Sequence, residues 1–70
     1  MSEWDRLPNE SSRAYQAYVI YRDLGPDRSL AQVSQKHTKS IPTLKRWSSK
    51  YNWVERARAY DDYLFTLKSP

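Results

Sequence analysis

Lys39, Ser40, Thr43, Lys45, Arg46, Ser49 and Lys50 fall within one short stretch that holds no carboxylate. Cations attract phosphates and reach guanine edges, and hydroxyls bond to either. The stretch therefore offers nucleic-acid chemistry. Catalytic and metal chemistry find no comparable set. Cysteine is absent, which excludes a thiolate nucleophile, a disulfide framework and a cysteine zinc site. His37 is the single histidine. Asp61 and Asp62 are adjacent and diverge by about 100° on a helix, too far to share one ion. There is no glycine-rich phosphate loop and no nucleophile with a base. No catalytic residue, cofactor or metal is expected, and the chain does not read as an enzyme.

The charge of the whole chain is distributed in the same sense. Residues 28–58 carry eight lysines and arginines against Glu55 alone, a net of +7 within a total of +4. Residues 1–27 and 59–70 are net acidic, at −2 and −1. A basic centre between acidic ends is the electrostatic footprint of a nucleic-acid binder. Arg56 and Arg58 are weaker candidates for phosphate contact. Arg58 also has Asp61 and Asp62 three and four residues on, within reach of a surface ion pair.

Cations must be held by a scaffold, and 70 residues with 39% apolar content allow one small domain. Such a chain buries roughly 60% of its unfolded surface and has no room for a deep substrate cavity. No apolar run approaches the ~18–20 residues of a membrane span, and no signal-peptide core follows Met1. A soluble cytoplasmic module with no membrane contact is expected.

Helix signals dominate. The spacing predicts a small all-α domain over 1–70, with an arm at 1–9 and helices over 10–24, 29–37, 40–51 and 53–67. The first helix begins between Asn9 and Ser12, where Glu10 suits the positive end of its dipole. Its apolar stripe is Ala14, Ala17, Tyr18, Tyr21 and Leu24, and Gly25-Pro26 ends it. Ser29 with Gln32 reads as a capping box, as does Asn52 with Glu55. Ser40 can cap the third helix, with Pro42 in its first turn. The fourth helix carries a stripe of Trp53, Ala57, Tyr60, Leu64 and Leu67. Trp4 and Leu7 are placed to clasp the bundle from the arm.

Residues 33–47 fit a helix-turn-helix. Val33 and Ser34 are the apolar and small residues at the crossing, Ser40 is the cap, and Leu44 and Trp47 seat the second helix. That leaves Pro42, Thr43, Lys45, Arg46, Ser49 and Lys50 outward, with Ile41 partly inward. The turn departs from the motif. His37, Thr38 and Lys39 stand where a leucine, a glycine and an apolar residue are usual. Threonine disfavours a positive φ, so a different turn geometry is expected, with Lys39 exposed. Trp47, Trp53 and Tyr51 read as core in so small a chain rather than as base-stacking platforms. His37 reads as a half-buried helix-end residue.

Four segments resemble the DNA-binding N-terminal region of phage and prophage terminase small subunits. They are Arg22-Asp23-Leu24-Gly25, Arg28-Ser29-Leu30, Arg46-Trp47-Ser48 and the block Tyr51-Asn52-Trp53-Val54-Glu55-Arg56-Ala57-Arg58-Ala59-Tyr60-Asp61. The resemblance runs from about Glu10 to Leu64. It implies that the helix-turn-helix recognises double-stranded viral genome DNA for packaging and presents it to the terminase large subunit, in the bacterial host cytoplasm. It also implies homo-oligomers, built in such subunits by a further region for which 70 residues leave no room.

Applied to this chain, Lys45, Arg46 and Lys50 would contact bases or phosphates, and Ser49 shares their face. Lys39, Ser40 and Thr43 would hold the DNA backbone, flanked by Arg28 and Lys36. A phage transcriptional regulator would use the same surface. An adaptor for an acidic protein partner is the alternative of a different class.

Overall fold

The structure, a computed structural model, describes residues 4–68. Among these, 69% are helical and none forms a strand. The ends of the expected 1–70 domain, residues 1–3 of the arm and 69–70, lie outside the described residues.

Ser11 starts α1 (Ser12–Asp23): its hydroxyl accepts the Ala14 amide at 3.1 Å, satisfying an otherwise orphan donor. The helix closes at Leu24, and Gly25 turns the chain away at φ +84°, where a side chain would be strained. Ser29 caps α2 (Leu30–Lys36) by accepting the Gln32 amide at 3.3 Å. The second half of the expected capping box is replaced. The Ser29 hydroxyl donates to Gln32 Oε1 at 3.1 Å.

α3 (Ile41–Lys50) follows a short joint, and α4 (Trp53–Lys68) completes the order. All four expected helices are present, with ends shifted by one or two residues, as fraying termini allow.

Two local expectations are corrected. Ser40 takes the extended N-cap backbone, but its side chain makes no cap bond; it shares a 3.2 Å hydrogen bond with the Thr43 hydroxyl. Asn52 lies at φ +56°, whereas a capping-box residue is extended. It follows the α3 C-cap, Tyr51, as a left-handed residue that ends the helix, a position asparagine tolerates better than most.

The core forms where α1 meets the other three helices. Ala14 and Ala17 let neighbours approach closely, while Tyr18 and Tyr21 face Trp53 at ring distances of 6.0 and 5.5 Å. Val33, Leu44, Tyr51 and Ala57 complete it. Burying a large side chain of this kind stabilises by ~1.5–3 kcal/mol. The stripe of α4 holds only in its first half. Trp53 and Ala57 are buried and Tyr60 and Leu64 half-buried, but Leu67 is 62% exposed, because α4 outruns the helices beneath it. The arm returns along this helix, with Trp4 stacked on Tyr63 at 4.6 Å and edge-on to Tyr60 at 5.9 Å.

One ion pair lies inside this core. Arg56 donates to both carboxylate oxygens of Glu10, at 2.9 and 3.0 Å, and both residues are buried. The same guanidinium donates to the Tyr51 and Asp5 carbonyls at 3.1 and 2.8 Å and lies 3.9 Å from the Tyr18 ring centre. Glu10 also accepts the Leu7 amide at 3.2 Å. One side chain of α4 thus joins the arm, α1 and the end of α3.

Removing one partner of a buried pair strands the other charge, a loss of ~3–5 kcal/mol. Glu10→Ala and Arg56→Ala are each expected to destabilise on that scale, Arg56→Ala by more because it also frees two carbonyls. Urea denaturation followed by circular dichroism checks this.

Burial pushes the Tyr18 phenol up to about 12 from its usual 10.0, against the opposing pull of the Arg56 and Arg22 guanidiniums. Above pH 10 the unfolded chain releases this proton while the folded chain keeps it, so stability falls between about pH 10 and 12. The Tyr18 hydroxyl has no hydrogen-bond partner among the described residues. Tyr18→Phe is therefore expected to flatten the alkaline fall without lowering stability at pH 7, read from denaturation midpoints across pH.

Candidate nucleic-acid interface

α3 lies on the bundle by one side only. Leu44 is fully buried, Trp47 is half-buried, and Ile41 is 38% exposed at the margin. A period of 3.6 residues then turns Pro42, Lys45, Arg46, Ser49 and Lys50 outward, and all five are exposed. Arg46 and Lys50, four apart, share one row of the helix, and Lys50 Nζ rests 5.3 Å from the Tyr51 ring centre. Lys45 and Ser49 share the next row. They border a shallow depression of about 380 Å³ with Ser48, Asn52, Leu30 and Val54, between the starts of α2 and α4.

The joint into α3 is built without the left-handed glycine of the usual motif. His37 leaves α2 in an extended conformation, φ −122° and ψ 149°, with its amide still bonded to the Val33 carbonyl at 2.8 Å. Ser34 donates its hydroxyl to the Lys39 carbonyl at 3.2 Å and so fixes the turn. Lys39 is half-buried rather than exposed, because this bond draws its backbone against α2. His37 is half-buried as expected, with its ring edge-on to Trp47 at 6.5 Å. Ser40 is exposed and Thr43 half-buried, their hydroxyls bonded to each other; Lys36 is exposed at the end of α2.

Arg28 does not join this group. It grips Asp61 with two nitrogens at 2.9 and 2.6 Å and donates to the Tyr21 and Arg22 carbonyls at 2.9 and 3.0 Å. Its side chain is 9% exposed. The expectation that Arg28 flanks bound DNA is corrected: its charge is neutralised and its donors are spent on α4 and the end of α1. Asp61 is thereby held by Arg28 and not by Arg58. Arg56 is likewise withdrawn from the phosphate candidates by Glu10. Tyr51 and Trp53 are buried, so their rings are core and offer no stacking platform.

Compared with protein-family models, with curated proteins and with solved structures, the chain matches none.

Within residues 28–58 the cations without ion-pair partners among the described residues are Lys36, Lys39, Lys45, Arg46, Lys50 and Arg58; outside that span Arg6, Arg13 and Lys68 also lack one. No group of three or more His, Cys, Asp or Glu that could hold a metal ion occurs among the described residues. Exposed helix charges contribute little to stability, whereas a bidentate, partly buried arginine contributes more. Lys45→Ala, Arg46→Ala and Lys50→Ala are therefore expected to leave the melting temperature nearly unchanged. Arg28→Ala, and less severely Arg28→Lys, are expected to lower it by several degrees in scanning calorimetry.

Proposed function

We propose that this chain binds double-stranded DNA through α3. The observation that carries the reading is the sorting of the cations. Arg28 and Arg56 are consumed by internal carboxylates, while Lys45, Arg46 and Lys50 stand exposed on the outer face of one helix. A helix with cations and hydroxyls on its free face fits the major groove, where such groups meet guanine edges and phosphates. Ser49 lies on that face, and Lys36, Lys39, Ser40 and Thr43 lie around the N-terminal end of α3, a suitable flank for the DNA backbone.

The finer reading is recognition of phage genome DNA for packaging, with the terminase large subunit as partner, in the host cytoplasm. It is supported by the resemblance of the Arg46-Trp47-Ser48 and residue 51–61 segments to terminase small subunits. The fold adds a reason for that second segment's composition, since Tyr51, Trp53, Arg56 and Ala57 are core. A single module of this size binds weakly, and useful affinity calls for more than one copy or site.

Fluorescence anisotropy of a labelled mixed-sequence duplex, titrated across salt, tests the proposal. Neutralising ~4–5 phosphates gives log K a slope of roughly −4 against log salt. Lys45→Ala with Arg46→Ala is expected to weaken binding at least tenfold and to reduce the slope by about 2. Unchanged affinity and slope in that variant, with the circular dichroism spectrum intact, would overturn the reading in favour of an adaptor for an acidic partner.

A further inference from the structure

Arg46 differs from the other exposed cations of α3 in where it sits around the helix. At about 100° per residue, placing the fully buried Leu44 at zero puts the half-buried Ser48 and Trp47 at about 40° and about 300°. The line facing away from the bundle therefore runs close to 180°, at about half a turn from Leu44. Pro42 and Arg46 stand about 20° to either side of that line, and Ser49 stands about 40° from it. Lys45 and Lys50 stand about 80° and about 60° away, on opposite flanks.

The chemistry of these positions differs as well. The Pro42 ring offers no donor, and a hydroxyl such as that of Ser49 bonds to more than one base and selects little. Lys50 Nζ rests 5.3 Å from the Tyr51 ring centre, off the outward line. Lys45 borders the depression toward Asn52 and Val54. The Arg46 guanidinium is exposed and has no hydrogen bond, ion pair or ring contact among the described residues. It is the one forked donor on the outward line.

A helix of about 10–12 Å diameter fills a major groove about 12 Å wide. Its outward line then faces the base edges, and its flanks face the phosphates of the two groove walls. We propose that Arg46 is the residue by which this chain selects its DNA, bonding to O6 and N7 of one guanine while Lys45 and Lys50 hold phosphates on opposite strands. The planar fork of arginine matches those two acceptors. The inference rests on the reading that α3 enters the major groove. On mixed-sequence DNA, registers that lack the guanine leave Arg46 to a phosphate, and there it counts toward the salt slope.

Selection by the full chain from a duplex pool with a randomised segment, at low salt, is expected to return a position that favours guanine. Replacing that guanine with 7-deazaguanine keeps the base pair and removes the N7 acceptor. The change is expected to weaken binding of the unaltered chain at least about fivefold, and to leave binding of Arg46→Ala as it was. Arg46→Gln is expected to move the preference at that position to adenine, whose N6 and N7 suit a carboxamide. Lys45→Ala and Lys50→Ala are expected to keep the guanine and each to lower the salt slope by about 1. All three residues are exposed, so circular dichroism is expected to be unchanged. DNA binding with no favoured guanine, or with one indifferent to Arg46→Gln, overturns the assignment and leaves the reading of α3 standing. Failure of the unaltered chain to bind any duplex overturns both.

Discussion

The burial of Arg56 beneath Tyr18 is the constraint around which this bundle is arranged. A charge removed from water is tolerated when its donors find acceptors, and here those of the two terminal nitrogens come from distinct parts of the chain, while the buried Nε has none among the described residues. Glu10 supplies the opposite charge from the approach to α1, Asp5 a carbonyl from the arm, and Tyr51 a carbonyl from the end of α3. The Tyr51 bond matters most for the outer surface. It ties the C-terminus of α3 to α4 and so sets how the exposed face of α3 is presented. Arg28 makes a second clamp, bonding the last carbonyls of α1 and the Asp61 carboxylate together. Both arginines link α4 to α1 or its approach, and α2 and α3 pack on that frame.

This use of arginine explains how a chain with a basic centre reaches a stable fold. Guanidinium is planar, forked and permanently charged, and so it suits buried bidentate pairing with carboxylates. The paired cations, Arg22, Arg28 and Arg56, are all arginines, whereas all five lysines, with Arg6, Arg13, Arg46 and Arg58, make no ion pair among the described residues. Lysine, a hydrated point charge on a flexible stem, is the less costly residue to leave in water. Lys50 gains further from its place in the last turn of α3, where the helix dipole favours a cation. Internal pairing thus neutralises two arginines between the helices and leaves Lys45, Arg46 and Lys50 exposed on α3.

The helices were legible in the sequence because their signals are local. Ser11, Ser29 and Gly25-Pro26 act on backbone within a turn of themselves, and the stripe of α1 needs only its own spacing. The outward set on α3 was legible for the same reason once Leu44 and Trp47 had been turned inward. The ion pairs were not. Glu10 and Arg56 are 46 residues apart, and Arg28 and Asp61 are 33 apart, so no local pattern joins them. The Arg56 pairing left one trace. Arg56 falls three residues after Trp53 and beside Ala57, on the buried face of α4, where an arginine demands a buried acceptor. For Arg28 no such trace exists, and charge alone grouped it with the exposed cations although it pairs with Asp61.

The absence of glycine between α2 and α3 follows the same economy of backbone conformations. Among the described residues the left-handed positions are Gly25 and Asn52. They stand just after α1 and just after α3, so neither lies inside the α2–turn–α3 unit. Within the joint, His37 and Ser40 are extended, conformations open to any residue, and Thr38 is spared the positive φ that would strain it. The Ser34 hydroxyl supplies the restraint that a tight glycine turn would otherwise give, by holding the Lys39 carbonyl. A residue small enough for two helices to cross closely is thereby also the residue that fixes their joint. The register of α3 against α2 then depends on that bond and on the seating of Leu44 and Trp47, two features that the exposed cations do not share.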